Sequence, residues 1–148
     1  MGKIKTILAK HTRIGLDSNI IIYFLDNNEK YGAICREIFS NIEKRGNIGV
    51  TSGLSYLESA VPAMRAGDIP TLTMIKSFFL QMPGLKVAMP DYNILDKALY
   101  LRAVYNIKAI DAVQLATAIV NDCSLFITND KNITKIKKIA FLYLDEAS

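Results

Sequence analysis

Four acidic residues stand where an α/β fold could aim them at one place. Asp17 follows the apolar run Arg13-Ile14-Gly15-Leu16 and opens a second, from Asn19 to Leu25. Glu58 lies in Ser55-Tyr56-Leu57-Glu58, shortly after Ile48-Gly49-Val50. Asp111 starts Asp111-Ala112-Val113-Gln114-Leu115-Ala116-Thr117-Ala118, and Asp130 ends Leu125-Phe126-Ile127-Thr128-Asn129-Asp130. Three of the four fall at a strand's C-terminal end or a helix's N-terminal end, where open α/β sheets form their binding crevice. Two carboxylates about 4 Å apart repel by roughly 4 kcal/mol at an effective dielectric near 20, so four that converge require a cation. An oxygen-only set with no His or Cys nearby selects a hard ion, Mg²⁺ or Mn²⁺. Convergence would therefore make a divalent metal centre suited to cutting phosphodiester bonds.

Each acid also has an ordinary structural reading. Asp17 can cap the helix after the first strand. Ser55-x-x-Glu58 matches a capping box, although a helix beginning at Ser52 would carry Glu58 into its second turn. Asp111 can complement a helix macrodipole, and Asp130 can be a turn residue. The joint pattern favours a site. The four occupy corresponding positions of successive βα units, whereas Glu29, Glu37, Glu43 and Asp122 fall on solvated faces.

Alternating strand and helix patterns along the chain place these acids. Short apolar runs at 13–17, 47–51, 85–89, 124–128 and 139–144 read as strands. Longer segments between them have helical periodicity. Segment 31–45 repeats Ile34, Ile38 and Ile42; 53–66 carries the apolar positions Leu54, Leu57, Val61 and Met64. Segment 91–105 carries Leu95, Leu99 and Val104, with Asp91 as its cap. In 70–82, Leu72, Ile75 and Phe79 suit the core, which leaves Met74 and Phe78 as a second stripe; helix 18–25, with Ile20, Ile21, Ile22 and Phe24, has a similar surplus. Segment 110–121 is almost wholly apolar and rich in Ala, so it should pack closely on the sheet. Its polar exceptions Asp111, Gln114 and Thr117 recur every three residues and share one side. A carboxylate on a buried helix needs a polar or metal-bearing pocket. The expected fold is a single α/β domain, an α/β/α sandwich around a parallel sheet of about five strands.

Composition sets the bounds. The chain has 148 residues, 51% of them hydrophobic and 22% charged, which suits one globular domain over 1–148 and argues against disorder. No apolar stretch reaches the roughly 18 to 20 residues that span a bilayer, and the opening Met1-Gly2-Lys3-Ile4-Lys5-Thr6 is no signal peptide. A cytoplasmic protein without membrane contact is expected. Cys35 and Cys123 lack CxxC spacing and read as reduced buried thiols. The one histidine, His11, sits in a basic leader of unassigned role, residues 1–12, and reads as a solvated surface residue. Net charge is +4; without the four acids, 18 cations face 10 remaining anions, +8, a basic surface around an acidic pocket.

Leu16-Asp17-Ser18-Asn19, Ser55-x-x-Glu58, Asp111-Ala112-x-x-Leu115-Ala116 and Ile127-Thr128-Asn129-Asp130, in this order, resemble the PIN-domain nucleases. The resemblance runs from about Arg13 to Leu144 and is strongest to the VapC-type toxins of bacterial and archaeal toxin–antitoxin pairs. It implies a Mg²⁺- or Mn²⁺-dependent endoribonuclease that cuts single-stranded RNA held by basic residues. Asp17, Glu58, Asp111 and Asp130 would be its catalytic and metal-binding acids, supported through hydrogen bonds by Ser18, Thr128 and Asn129. It further implies a homodimer and an antitoxin whose amphipathic segment lies in a groove beside helices 18–25 and 70–82. One departure is that related chains often carry Phe shortly after the last acid, where this one has Lys131-Asn132-Ile133; that bears on packing. Alternatives are a housekeeping RNA-processing PIN nuclease, a non-catalytic PIN scaffold, and a receiver-type phosphoacceptor domain. A receiver would carry adjacent acids after its first strand and an acceptor Asp after its third, where this chain has Ser18 and Met89-Pro90.

Overall fold

A computed structural model describes residues 2–133 and 136–147. Five strands, β1 (Arg13–Leu16), β2 (Ile48–Ser52), β3 (Leu85–Ala88), β4 (Leu125–Thr128) and β5 (Ala140–Tyr143), form one parallel sheet in the order β3-β2-β1-β4-β5. β1 is central, paired with β2 through Arg13–Ile48 and with β4 through Ile14–Leu125. The order reverses between β2 and β4, so the C-terminal end of β1, where Asp17 emerges, is the topological switch point.

Around the sheet lie α1 (Gly2–Leu8), α2 (Ser18–Leu25), α3 (Gly32–Glu43), α4 (Leu54–Ala66), α5 (Ile69–Gln81), α6 (Tyr92–Tyr105), α7 (Ala109–Val120) and the short α8 (Leu144–Ala147). The strand period of two divides the core. Ile14, Leu16, Leu125, Ile127 and Leu142 face α1, α2, α3 and α8. On the opposite face Val50 and Phe126 meet α6 and α7 through Leu101, Ala112, Leu115 and Ala116. The α4–α5 hairpin adds a small cluster of Ala60, Ala63 and Ile75. The three-layer α/β/α architecture with a five-stranded parallel sheet is the one the alternating pattern predicts.

Gly15 sets the distance between α7 and the sheet. A β-carbon there would lie 2.5 Å from Ala118 Cβ and 2.8 Å from the Phe126 ring, so its absence lets the Ala-rich helix rest on β1. α6 ends on Asn106, whose left-handed φ of 54° turns the chain directly into α7. Asp111 is thereby carried in the first turn of α7, where its charge reaches Asp17 at the end of β1.

The leader, which the sequence leaves without a role, forms α1 and packs Ile4 and Leu8 fully into the main core. His11 stays at the surface, as its setting suggests, with its Nδ1 2.7 Å from Ser124 Oγ. Several expectations are corrected. The apolar stripe of α4 faces outward, with Leu57 and Met64 exposed, while Ser55, Ser59, Ala60 and Ala63 face inward. α6 behaves alike: Ile94, Ala98 and Leu101 are buried, and Leu95, Leu99 and Val104 are exposed. In α4 the small inner residues let the helix pack closely, so its larger apolar side chains lie outside; in α6 the buried face is the one that carries Ile94 and Leu101. Phe78 forms no second outer stripe, because its ring packs on Phe24 and Phe39 at 5.7 and 5.5 Å. Met74 alone of that pair is exposed. Among the described residues no helix is long and apolar enough to cross a membrane.

Candidate active site

Asp17 is the most constrained of the four acids. It caps α2 through Oδ1, which accepts the Ser18 N–H at 2.8 Å, and its Oδ2 accepts the Thr128 hydroxyl at 2.7 Å. Its residue is only 6% exposed. Burial pushes its carboxyl up to about 6, against the two hydrogen bonds, and the charges of Asp111 and Glu58 push the same way. The capping and site readings therefore coexist: the cap fixes the carboxylate at the end of β1 without supplying a counter-ion.

Glu58 is held by a residue that the sequence reading left out of the site. α4 starts at Leu54 after Gly53 with no side-chain cap, so Ser55 and Glu58 make no capping box and Glu58 falls in the second turn. Instead Gln114 Nε2 donates to Glu58 Oε1 at 3.3 Å and to Ser55 Oγ at 3.0 Å. Ser55 lies 2.7 Å from Thr51 Oγ1, which donates to the Leu16 carbonyl at 3.0 Å. This buried chain ties α7 and α4 to the residue before Asp17. Its signal in the sequence was the polar stripe on α7, which includes Gln114. Pro62 adds a further acceptor, since it has no N–H to give the Glu58 carbonyl four residues earlier.

Asp111 and Asp130 complete the cluster. Asp111 is half-buried, and its carboxyl is raised first by burial, then by the charge of Asp130, with Glu58 adding and Lys108 opposing. The Asp130 backbone N–H donates to Thr128 Oγ1 at 3.0 Å, so one threonine hydroxyl orders both Asp17 and Asp130. Asp130 Oδ1 also accepts the Asn132 N–H at 2.9 Å, the turn role that its sequence context suggested. Of the supporting residues, Ser18 contributes its backbone N–H and Thr128 its side chain. Asn129 Oδ1 is buried without a hydrogen-bond partner, as is Oδ1 of Asn19, the second residue of α2.

The four acids thus gather at one end of the sheet and act on each other electrostatically. They are not drawn into contact: among the described residues no three carboxylates, imidazoles or thiols stand close enough to clasp one ion. The donor chemistry nevertheless suits a hard divalent cation. It offers a buried carboxylate lacking a cationic partner, further carboxylates around it and orphaned amide oxygens beside it. Mg²⁺ usually keeps several waters and takes only one or two protein carboxylates, so a close four-fold clasp is not needed. His11 lies at the other end of the strands, beside Ser124 ahead of β4, and Cys35 and Cys123 are buried free thiols pushed up to about 12 and about 11 by desolvation. None of the three competes as ligand or nucleophile.

Two clefts flank the cluster and differ in charge. One, about 280 Å³, is lined by Glu58, Asp26, Asp68 and Pro62 with no cation. The other, about 260 Å³, is lined by Asp111, Lys108, Asn106 and Asn132. A larger apolar cleft of about 460 Å³, between α5 and the edge strand β3, contains none of the four acids.

Residues 14–139, nearly the whole chain and all four acids, match the family model of the PIN domain. The chain belongs to the PIN domain family. Two solved structures share the fold. VapBC2 from Rickettsia felis, in a complex with a DNA fragment from its promoter, is 14% identical with a TM-score of 0.71, over 89% of this chain and 98% of that one. A toxin–antitoxin complex from Klebsiella pneumoniae is 21% identical with a TM-score of 0.64, over 90% and 98%. At these identities the likeness is one of fold. No curated protein matches in sequence. α1 lies ahead of the segment that the PIN model covers.

Proposed function

We propose that this PIN domain is a Mg²⁺- or Mn²⁺-dependent endoribonuclease acting on single-stranded RNA, and that it is the toxin of a toxin–antitoxin pair. The observation that carries the catalytic reading is Asp17: a buried carboxylate at the switch point, uncompensated by any cation and facing the charges of Asp111 and Glu58. Asp17 and Asp111 would hold the ion, with Asp130 and Glu58 joining directly or through water. A bound ion supplies acidification of a water and neutralisation of charge on the scissile phosphate. Thr128 fixes the Asp17 carboxylate, and Gln114 fixes Glu58 where it can orient a water or accept its proton. Lys108 supplies the positive charge next to Asp111. No side-chain nucleophile is needed, in keeping with the inert thiols.

The toxin reading is supported by the fold shared with two toxin–antitoxin complexes. The outward apolar residues Leu57 and Met64 on α4 and Leu95 and Leu99 on α6 suit a homodimer contact. With Phe78 absorbed into the core, an antitoxin groove beside α2 and α5 would rest on Met74 and the half-buried part of Ile22. Two free, buried thiols fit a reducing cytoplasm.

Purified protein should cleave single-stranded RNA with Mg²⁺ or Mn²⁺ and stop on addition of EDTA. Asp111→Asn should lower the rate by orders of magnitude and shrink the thermal stabilisation gained from Mn²⁺, since an ion that binds only the native state stabilises it by mass action. Undiminished cleavage by this variant would refute the site. A small reading frame next to this one, whose product co-purifies with the chain and silences cleavage, would separate a toxin from a housekeeping nuclease.

A further inference from the structure

The charge difference between the two flanking clefts gives the site a direction. On the α4–α5 side a polyanion would meet Glu58, Asp26 and Asp68. On the α6–α7 side it would meet Lys108, Asn106 and Asn132. Beyond that second cleft, Ile133, Ile136 and Ile139 pack into the same core cluster as Leu101 and Ile107 of the α6 side. There the Tyr100 ring, 45% exposed, gathers two cations: Lys138 Nζ is 4.8 Å and Lys97 Nζ 5.9 Å from its centroid. Neither lysine has a carboxylate partner; among the described residues the one ion pair is Lys30–Asp145, elsewhere on the surface. Two like charges held at one aromatic ring without a counter-ion repel each other, and a phosphate relieves that repulsion. Tyr100 precedes Asn106 by six helical residues, so the clasp lies about 9 Å along the α6 axis from the cleft beside Asp111.

We propose that single-stranded RNA leaves the acidic mouth on the α6–α7 side only, passing Lys108 and Asn132 to a phosphate clasp made by Lys97, Tyr100 and Lys138. This rests on the ribonuclease reading, and it adds which of the chain's cations bind the strand. Exposed lysines elsewhere are not equivalent. The cleft between α1 and α3, lined by Lys5, Arg36 and Lys44, also contains Glu37 and lies over the opposite face of the sheet.

The test is fluorescence anisotropy with a labelled 12-nucleotide RNA in EDTA, which reads binding without cleavage, at several salt concentrations. Lys97→Ala/Lys138→Ala should weaken binding several-fold and flatten the slope of log K against log salt by about 1.4, at ~0.7 per cation on a single strand. Lys5→Ala/Lys44→Ala removes equal charge and should leave the slope unchanged. An equal fall in both double variants, or no fall in the first, would overturn the track. Displacement of the RNA by polyglutamate as readily as by unlabelled RNA would overturn it too, by showing a site for acidic protein. Cleavage in Mg²⁺ with an unchanged slope would refute the track and leave the nuclease standing; the expected slope change without cleavage in Mg²⁺ would do the reverse.

Discussion

Replacing Asp17 by Asn should make the metal-free protein more stable near neutral pH while abolishing its activity. Asp17 titrates near 6 in the folded protein against 3.8 for an ordinary aspartate. The native state therefore holds this proton more tightly than the unfolded chain. The contribution from this group is fully favourable below about pH 4 and is lost as pH rises to about 6. Above that it is a constant penalty of about 3 kcal/mol, at 1.36 kcal/mol per pH unit. Asn removes the charge but not the shape. Its Oδ1 can still accept the Ser18 N–H, while its amide must donate where the carboxylate accepted the Thr128 hydroxyl. The reversed contact costs about 1 kcal/mol. A net gain of about 2 kcal/mol remains, or roughly 4–8 °C in Tm for a domain of this size. Thermal melts followed by circular dichroism in EDTA from pH 4 to pH 8 would measure it. The variant and the parent should lie close together at pH 4 and separate between pH 4 and pH 6. A variant that melts below the parent at pH 7, or that keeps the parent's pH profile, would refute the view of Asp17 as an uncompensated buried charge.

Other outcomes follow from the same geometry. Gln114→Leu leaves Ser55 and Glu58 without their shared donor, which should cost about 1–3 kcal/mol in urea unfolding and lower the cleavage rate; a variant of unchanged stability and rate would show the chain to be incidental. Gly15→Ala places a methyl 2.5 Å from Ala118 Cβ, so it should destabilise by about 1–3 kcal/mol and, by lifting α7, weaken the stabilisation by Mn²⁺; an unchanged Mn²⁺ response would mean that α7 is not seated through this contact. Leu57→Glu with Leu99→Glu should convert a dimer to a monomer in light scattering at micromolar concentration; a persisting dimer would place its interface elsewhere.

The elements and the four acids can be read from the chain alone. Short apolar runs and period-3.6 segments are local properties of the chain, so the five strands fall within a residue or two of where patterning puts them. A carboxylate at a strand end is equally local, so the positions of Asp17, Glu58, Asp111 and Asp130 along the βα units are visible without coordinates. Which face of a helix turns inward is not local. α4 turns Ser55, Ala60 and Ala63 inward and leaves Leu57 outside, and α6 turns Ile94, Ala98 and Leu101 inward and leaves Leu99 outside, so residues that look like core in one dimension lie outside in three. The leader was opaque for the same reason: Ile4 and Leu8 join a core cluster built by α2, α3, α8 and the sheet, mostly far along the chain. Gln114 was visible as a polar residue on an apolar helix, but its partners Ser55 and Glu58 lie 59 and 56 residues away. The acidic character of one cleft beside the mouth and the lysine in the other are likewise products of tertiary structure. Charge is written residue by residue, but the field that an RNA strand meets is set by which distant residues the fold brings side by side.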